Sequence, residues 1–250
     1  MSGHSKWSTI KRQKGANDAR RGAVFTKMTR EIMVAARAGG GDPDGNFRLR
    51  LAMDKARSVN MPQDNIKRAI EKATGAGEGE QFEEILYEGY GPGGVAVLVE
   101  AATDNRNRTA ADVRSIFTKA GGQLAGSGAV AWQFEPRGLI TVPADGQDAD
   151  TVALAAIDAG ADDVDTSEGD RVEVYTSPAE LERVRIALDK AGIQVESAEN
   201  AMIAKQQVAV DENRARQNLR LVEMLEELDD VQRVTANFDI PEELYAEVAG

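Results

Sequence analysis

The chain contains no cysteine, which removes a disulfide framework, a thiolate zinc site and a cysteine nucleophile together. It has one histidine, His4, set between glycine and serine on a loose N-terminal stretch. That is a poor position for a general base, which needs a fixed nucleophile and an orienting acid. No apolar run approaches the roughly 18 residues that cross a bilayer, and the basic N-terminus lacks the apolar core of a secretory signal. An Arg-rich start with few acids also fits a transit peptide, but Trp7 and the ordered motif after it point to a retained arm. The expectation is a cytoplasmic protein that makes no membrane contact and carries no cofactor or metal, and whose catalytic set, if any, is not visible.

What is present is a charge asymmetry. The formal net charge is -12, yet residues 1–75 hold 16 Lys or Arg against 7 Asp or Glu. The remaining 175 residues hold 14 basic and 35 acidic side chains. A basic head on an acidic body points to a polyanion met by one part of the chain. With 42% hydrophobic and 29% charged residues, the composition is globular rather than disordered.

Residues 1–15 show no helical or strand period and read as an arm. From Asn17 or Asp18 a helix runs to Ala38, with Phe25, Met28, Ile32, Ala35 and Ala36 as its buried stripe. The helical phase places Arg20, Lys27, Arg30 and Arg37 on the other side, facing solvent. Gly39–Gly45 ends that helix, and two more follow, from about Asn46 to Ser58 and from Pro62 to Gly75. Residues 1–75 are therefore expected to form a basic helical bundle with an N-terminal arm.

Beyond a Gly- and Glu-rich linker the pattern changes to short apolar runs. Glu84–Tyr90 and Val95–Ala102 flank Gly91-Pro92-Gly93-Gly94 as an antiparallel hairpin. A helix is expected from Thr109, capped by Thr109-x-x-Asp112. Residues 135–204 read β-α-β-β-α-β, a ferredoxin-like order. Three helices end Ala-Gly before a strand, one capping solution used repeatedly. A last helix from Asn213 to Leu228 and a strand from Val231 to Phe238 complete the sheet begun by the hairpin. The fold class is α+β in three domains: the bundle, a middle α+β domain of residues 80–134 plus 205–250, and the ferredoxin-like domain inserted in it.

Gly3-His4-Ser5-Lys6-Trp7, Arg21-Gly22 with Phe25-Thr26-Lys27, Gly39-Gly40-Gly41-Asp42-Pro43, Tyr87–Gly94 and Asp104-Asn105-Arg106-Asn107-Arg108-Thr109 together resemble the YebC family, in order and across essentially the whole chain. The resemblance implies the same three-domain layout. It also implies a non-enzymatic regulator of gene expression: a DNA-binding transcriptional regulator in the usual description of bacterial relatives, or a ribosome-associated translation factor on ribosomal RNA, as mitochondrial relatives suggest. The arm carries Arg12-Gln13 where many relatives have His-Arg, which keeps the charge count.

His4, Lys6, Trp7, Lys11, Arg12, Lys14, Arg20, Arg21, Lys27, Arg30 and Arg37 are the expected nucleic-acid contacts. Each phosphate neutralised by a cation releases counterions, and Trp7 among lysines suits a stacked, unpaired base. Against this stands a solvated basic face with Trp7 packed on the bundle. Arg106 and Arg108 precede a helix N-terminus and form a candidate anion site, weighed evenly against simple capping. Gly91–Gly94 lacks the Lys-Ser/Thr of a phosphate loop and reads as a turn. The carboxylates Asp162, Asp163, Asp165, Glu168, Asp170 and Glu173 read as a solvated acidic face that repels phosphate or meets basic ribosomal or regulatory proteins. A small-molecule sensor built on the ferredoxin-like domain is the reading from another class.

Overall fold

The computed structural model describes residues 18–75, 82–167 and 170–240, with side chains from Gly22 onward. The chain divides into two compact units: Phe134–Ile203, and the chain before and after it.

The larger unit begins with three helices, α1 (Asp18–Gly39), α2 (Phe47–Ser58) and α3 (Gln63–Thr74). Their stripes form one core of Met28, Ile32, Ala36, Leu49, Ala52 and Ile66, all buried. Asn46 fixes the turn between the first two. Its side-chain oxygen accepts the Leu49 N–H at 3.1 Å and caps α2, while its amide donates to the Ala35 and Gly40 carbonyls at 2.8 and 2.7 Å. A buried amide satisfied on both sides locks the angle at which α2 leaves α1.

The rest of that unit is a four-stranded sheet in the order β3-β1-β2-β8, from β1 (Glu83–Tyr90), β2 (Ala96–Thr103), β3 (Gln123–Leu124) and β8 (Val231–Ala236). β1 and β2 pair antiparallel from Glu83↔Thr103 to Tyr90↔Ala96, so Gly91–Gly94 is the hairpin turn. Helices α4 (Arg106–Lys119) and α7 (Glu212–Glu226) cover one face. Val97 and Val99 of β2 meet Val113, Ile116 and Phe117 of α4 and Leu219, Val222 and Leu225 of α7 there. Gly89 is required at its place in β1, because a Cβ there would lie 2.6 Å from the Phe117 ring. Leu98 and Ala96, on the opposite face by strand alternation, are also fully buried. α1 lies against β2 and β8, which explains why β2 is apolar at almost every position.

Helix α4 starts three residues before the expected Thr109. Asn105 is the cap, accepting the Arg108 N–H at 3.1 Å. Thr109 is only 1% exposed, and its hydroxyl is used inside the fold.

The smaller unit comprises β4 (Phe134–Pro143), α5 (Ala149–Asp158), β5 (Asp163–Asp165), β6 (Arg171–Thr176), α6 (Leu181–Lys190) and β7 (Ser197–Ala204). Its sheet order is β5-β6-β4-β7, that of a ferredoxin-like unit. Asp148 caps α5 through the Thr151 N–H at 2.9 Å. Val152 and Ala156 of α5 and Leu181, Val184 and Leu188 of α6 are buried. The repeated Ala-Gly ends have one cause: Gly121, Gly160 and Gly192 all take positive φ, at 77, 96 and 80°, which glycine adopts without a Cβ clash.

Candidate nucleic-acid interface

His4, Lys6, Trp7, Lys11, Arg12 and Lys14 lie outside the described residues, and so do the side chains of Arg20 and Arg21 at the start of α1. The rest of the basic stripe differs from the expectation of a continuous solvent face. Arg37 is exposed. Lys27, about three turns back, is half-buried and donates to the Glu226 carbonyl at the end of α7. Arg30 is 14% exposed at its side chain and forms an ion pair with Asp230 at 2.7 Å. Its guanidinium also sits 5.3 Å from the Phe82 ring centroid, within cation–π reach. The side of α1 opposite the bundle core is thus not open: over Lys27 and Arg30 it faces the end of α7 and the start of β8. Helical phase separates apolar from polar faces, but it cannot report a second polar surface packed on the polar one.

Asp230 is the centre of that contact. Besides Arg30, its carboxylate accepts Arg108 Nη2 at 2.8 Å, Thr103 Oγ1 at 3.1 Å and the Thr109 hydroxyl. Burial alone would raise its pKa. The bonds from Arg108 and Thr109, the Arg30 charge and Thr103 outweigh that and hold the carboxyl below its usual range. Arg108 also reaches Asp104 at 2.7 Å, and these two acids raise its pKa further.

The candidate anion site at the start of α4 is therefore occupied by the chain's own carboxylates. Arg108 is shared by Asp230 and Asp104, and Arg106 lies 3.5 Å from Glu83. The surrounding cleft adds Asp112, Glu227 and Asp229, and an incoming anion would meet a negative surface there.

On α3, Lys67, Arg68 and Lys72 are exposed, interspersed with Asp64 and Glu71, and Arg68 bonds back to the Asp64 carbonyl at 3.1 Å and to Asn65 at 2.6 Å. In the smaller unit Asp162 pairs with Arg137 at 3.2 Å, Asp170 with the buried Arg171 at 2.6 Å, and Glu173 accepts the Tyr175 hydroxyl at 2.6 Å. Among the described residues no group of three or more acidic or histidine side chains is placed to hold a metal ion. Nor is any described helix long and apolar enough to cross a membrane.

A second organised feature had no signal in the sequence. Glu88 is 3% exposed, and its carboxylate accepts the backbone N–H groups of Gly128, Val130 and Ala131 at 2.6, 2.7 and 2.8 Å. Burial would raise its pKa, but the three N–H bonds bring it below the usual value. Tyr90 and Trp132 beside this loop are exposed.

Comparison with known proteins places this architecture. The chain matches the TACO1/YebC protein N-terminal domain over residues 5–76 and the TACO1/YebC second and third domain over residues 82–238. It belongs to the TACO1/YebC family. A relative from Rubrobacter xylanophilus, named a probable transcriptional regulatory protein, is 57% identical over the full length of both chains. One from Citrifermentans bemidjiense with the same name is 56% identical, over 97% of this chain and 98% of its own. The crystal structure of a conserved hypothetical protein from Aquifex aeolicus superposes with a TM-score of 0.85 at 50% identity, covering 91% of this chain and 93% of the other.

Proposed function

We propose that the chain is a non-enzymatic regulator of gene expression that binds nucleic acid through its basic N-terminal domain, with DNA in transcriptional control as the leading target. The observation that carries this reading is the charge split, +9 over residues 1–75 against -21 over the rest. The names of the relatives support the regulatory part. Because Lys27 and Arg30 are engaged by Glu226 and Asp230, the contacts assigned to nucleic acid are the arm, Arg20 and Arg21, with Arg37 as a separate exposed cation near the other end of α1. The acidic remainder orients the protein with its basic end toward the polyanion.

A ribosome-associated translation factor on ribosomal RNA is the second reading, favoured by Trp7 between Lys6 and Lys11, a combination suited to unpaired bases. Deleting Met1–Lys14 should weaken binding more than tenfold and flatten its salt dependence, since each lost phosphate contact removes roughly 0.7 to 0.9 from the log–log slope. Filter binding across a salt series reads both, and an unchanged affinity and slope would remove the arm from the interface. Cosedimentation with ribosomes, run beside promoter pull-down from one lysate, separates the two targets.

A further inference from the structure

Tyr90 and Trp132 share one acceptor. The tyrosine hydroxyl donates to the Ala129 carbonyl at 3.0 Å, and the indole N–H donates to the same oxygen at 3.1 Å. Two aromatic side chains thereby converge on one carbonyl, with their polar ends satisfied within the protein. Trp132 is nonetheless 68% exposed and Tyr90 37%, so what they offer solvent is ring surface. Large exposed aromatics whose polar atoms are already used gain little from water and much from a flat partner.

The pair is held in place. Ala129 lies in the loop that Glu88 pins by three backbone N–H groups, between Gly128 and the fully buried Val130. On the other side Lys205 Nζ donates to the Trp132 carbonyl at 2.9 Å, and its N–H donates to the Gln133 carbonyl at 2.9 Å. A surface fixed before binding loses little conformational freedom on binding.

The charge around it is distinctive. Residues 89–99 and 120–134, which supply both aromatics and the loop, contain no charged side chain in a chain that is 29% charged with a net of -12. Lys205, exposed, is the ion bonded to this loop at the surface, and Glu88 is withdrawn beneath it. The repulsion that the acidic body exerts on phosphate is relieved here, and one cation is bonded to the backbone of an exposed aromatic residue. A duplex has no free base face to stack, whereas a single strand does.

We infer that Tyr90 and Trp132 form a stacking platform for an unpaired base of a single-stranded nucleic acid, with Lys205 placed for the adjoining phosphate. The inference rests on the nucleic-acid reading above for its class of ligand, and it adds a contact remote in sequence from the basic arm. A second copy of the chain and a protein with an apolar pocket are the competing occupants.

Trp7 and Trp132 are the two tryptophans, so Trp7→Phe leaves Trp132 as the sole indole reporter. That full-length variant is titrated with oligouridylate, oligothymidylate and a mixed-sequence duplex. The expected result is saturable quenching of Trp132 by a single strand and none by the duplex; the uridylate and thymidylate arms decide RNA or DNA. In the otherwise native chain, Trp132→Ala should weaken binding of a dye-labelled single strand about fivefold or more, with Lys205→Glu acting in the same direction. Circular dichroism of both variants should match the parent and melting should fall by no more than about 2 °C, since each loses one hydrogen bond at an exposed side chain. If the labelled strand binds while Trp132 emission and Trp132→Ala affinity are unmoved, the platform is overturned and the arm reading stands. Failure of every oligomer to bind overturns both. If emission follows protein concentration alone, and Trp132→Ala abolishes a dimer in sedimentation equilibrium, the occupant is a second copy and the inference is wrong.

Discussion

Glu88 and Asp230 are both nearly withdrawn from water, at 3% and 7% exposure, and they are held by opposite means. Glu88 is surrounded by backbone N–H groups from residues 128–131, neutral donors that fix one loop to one strand. Asp230 is surrounded by two guanidinium groups and two hydroxyls from α1, β2 and the start of α4. One carboxylate shapes a surface, and the other fastens the helical bundle to the sheet. The same group, equally buried, thus acts locally or globally according to whether its partners are dipoles from one loop or ions from distant elements.

The sharpest way to break the comparison is to remove the global one. Asp230→Ala leaves the largely buried Arg30 guanidinium over the Phe82 ring without its carboxylate, and losing one member of a buried pair costs about 3 kcal/mol or more. Urea unfolding should show that loss, and hydrogen exchange should quicken in α1 well before β2. Arg30→Met in the same chain should recover part of it, because the uncompensated charge is then gone. A loss under about 1 kcal/mol for Asp230→Ala alone would mean that the bundle is held chiefly by apolar contact.

This hub also marks the limit of what the sequence discloses. The helices of the bundle, the hairpin and the ferredoxin-like order were legible, because apolar spacing and Gly or Asn caps are local signals. Phe25, Met28 and Ile32 declare a buried stripe without reference to anything else. Arg30 was legible as polar but not as paired, since its partner lies 200 residues away in Leu228-Asp229-Asp230, a run that reads as solvated acid. Thr109 looked like a cap because capping is local, whereas its hydroxyl serves Asp230. Glu88 sits in Tyr87-Glu88-Gly89-Tyr90, where strand alternation gives its face but not the loop, 40 residues on, that covers it. The binding stripe drawn from helical phase lost Lys27 and Arg30 for the same reason.

Glu88→Gln tests the local carboxylate. An amide keeps one acceptor oxygen, but it turns an NH2 toward backbone N–H groups, so about 1 to 2 kcal/mol should be lost. The sign of the pH effect follows from the lowered pKa. The stabilisation from Glu88 is complete above the ordinary glutamate value of about 4.3 and disappears as pH falls through the lower folded value. Asp230, also lowered, acts with the same sign: its stabilisation is complete above about pH 4 and is lost as pH falls below that. Native protein should therefore weaken on acidification below that range, and Glu88→Gln should weaken less steeply. Equal slopes in urea midpoints between pH 7 and 3 would contradict a carboxylate held in its charged form by these N–H groups.

The smallest effect separates buried from exposed fastening. Arg48 meets Glu84 through two contacts, one of them 3.0 Å, and so also ties the bundle to β1, but the side chains are 49% and 54% exposed. Their bond raises the pKa of Arg48, yet an exposed pair spends much of its attraction on side-chain ordering and counterions. Arg48→Ala should cost no more than about 0.5 kcal/mol, a melting shift of about 1 to 2 °C in a chain of this length. In 0.5 M salt, roughly where screening shortens to a few ångströms, that shift should vanish while the Asp230→Ala deficit persists. The pairing of variants and salt then assigns the attachment of the bundle to position rather than to charge count: two ion pairs join the bundle to the sheet, one from α1 to the start of β8 and one from α2 to β1, and the one closed off from water is expected to hold it.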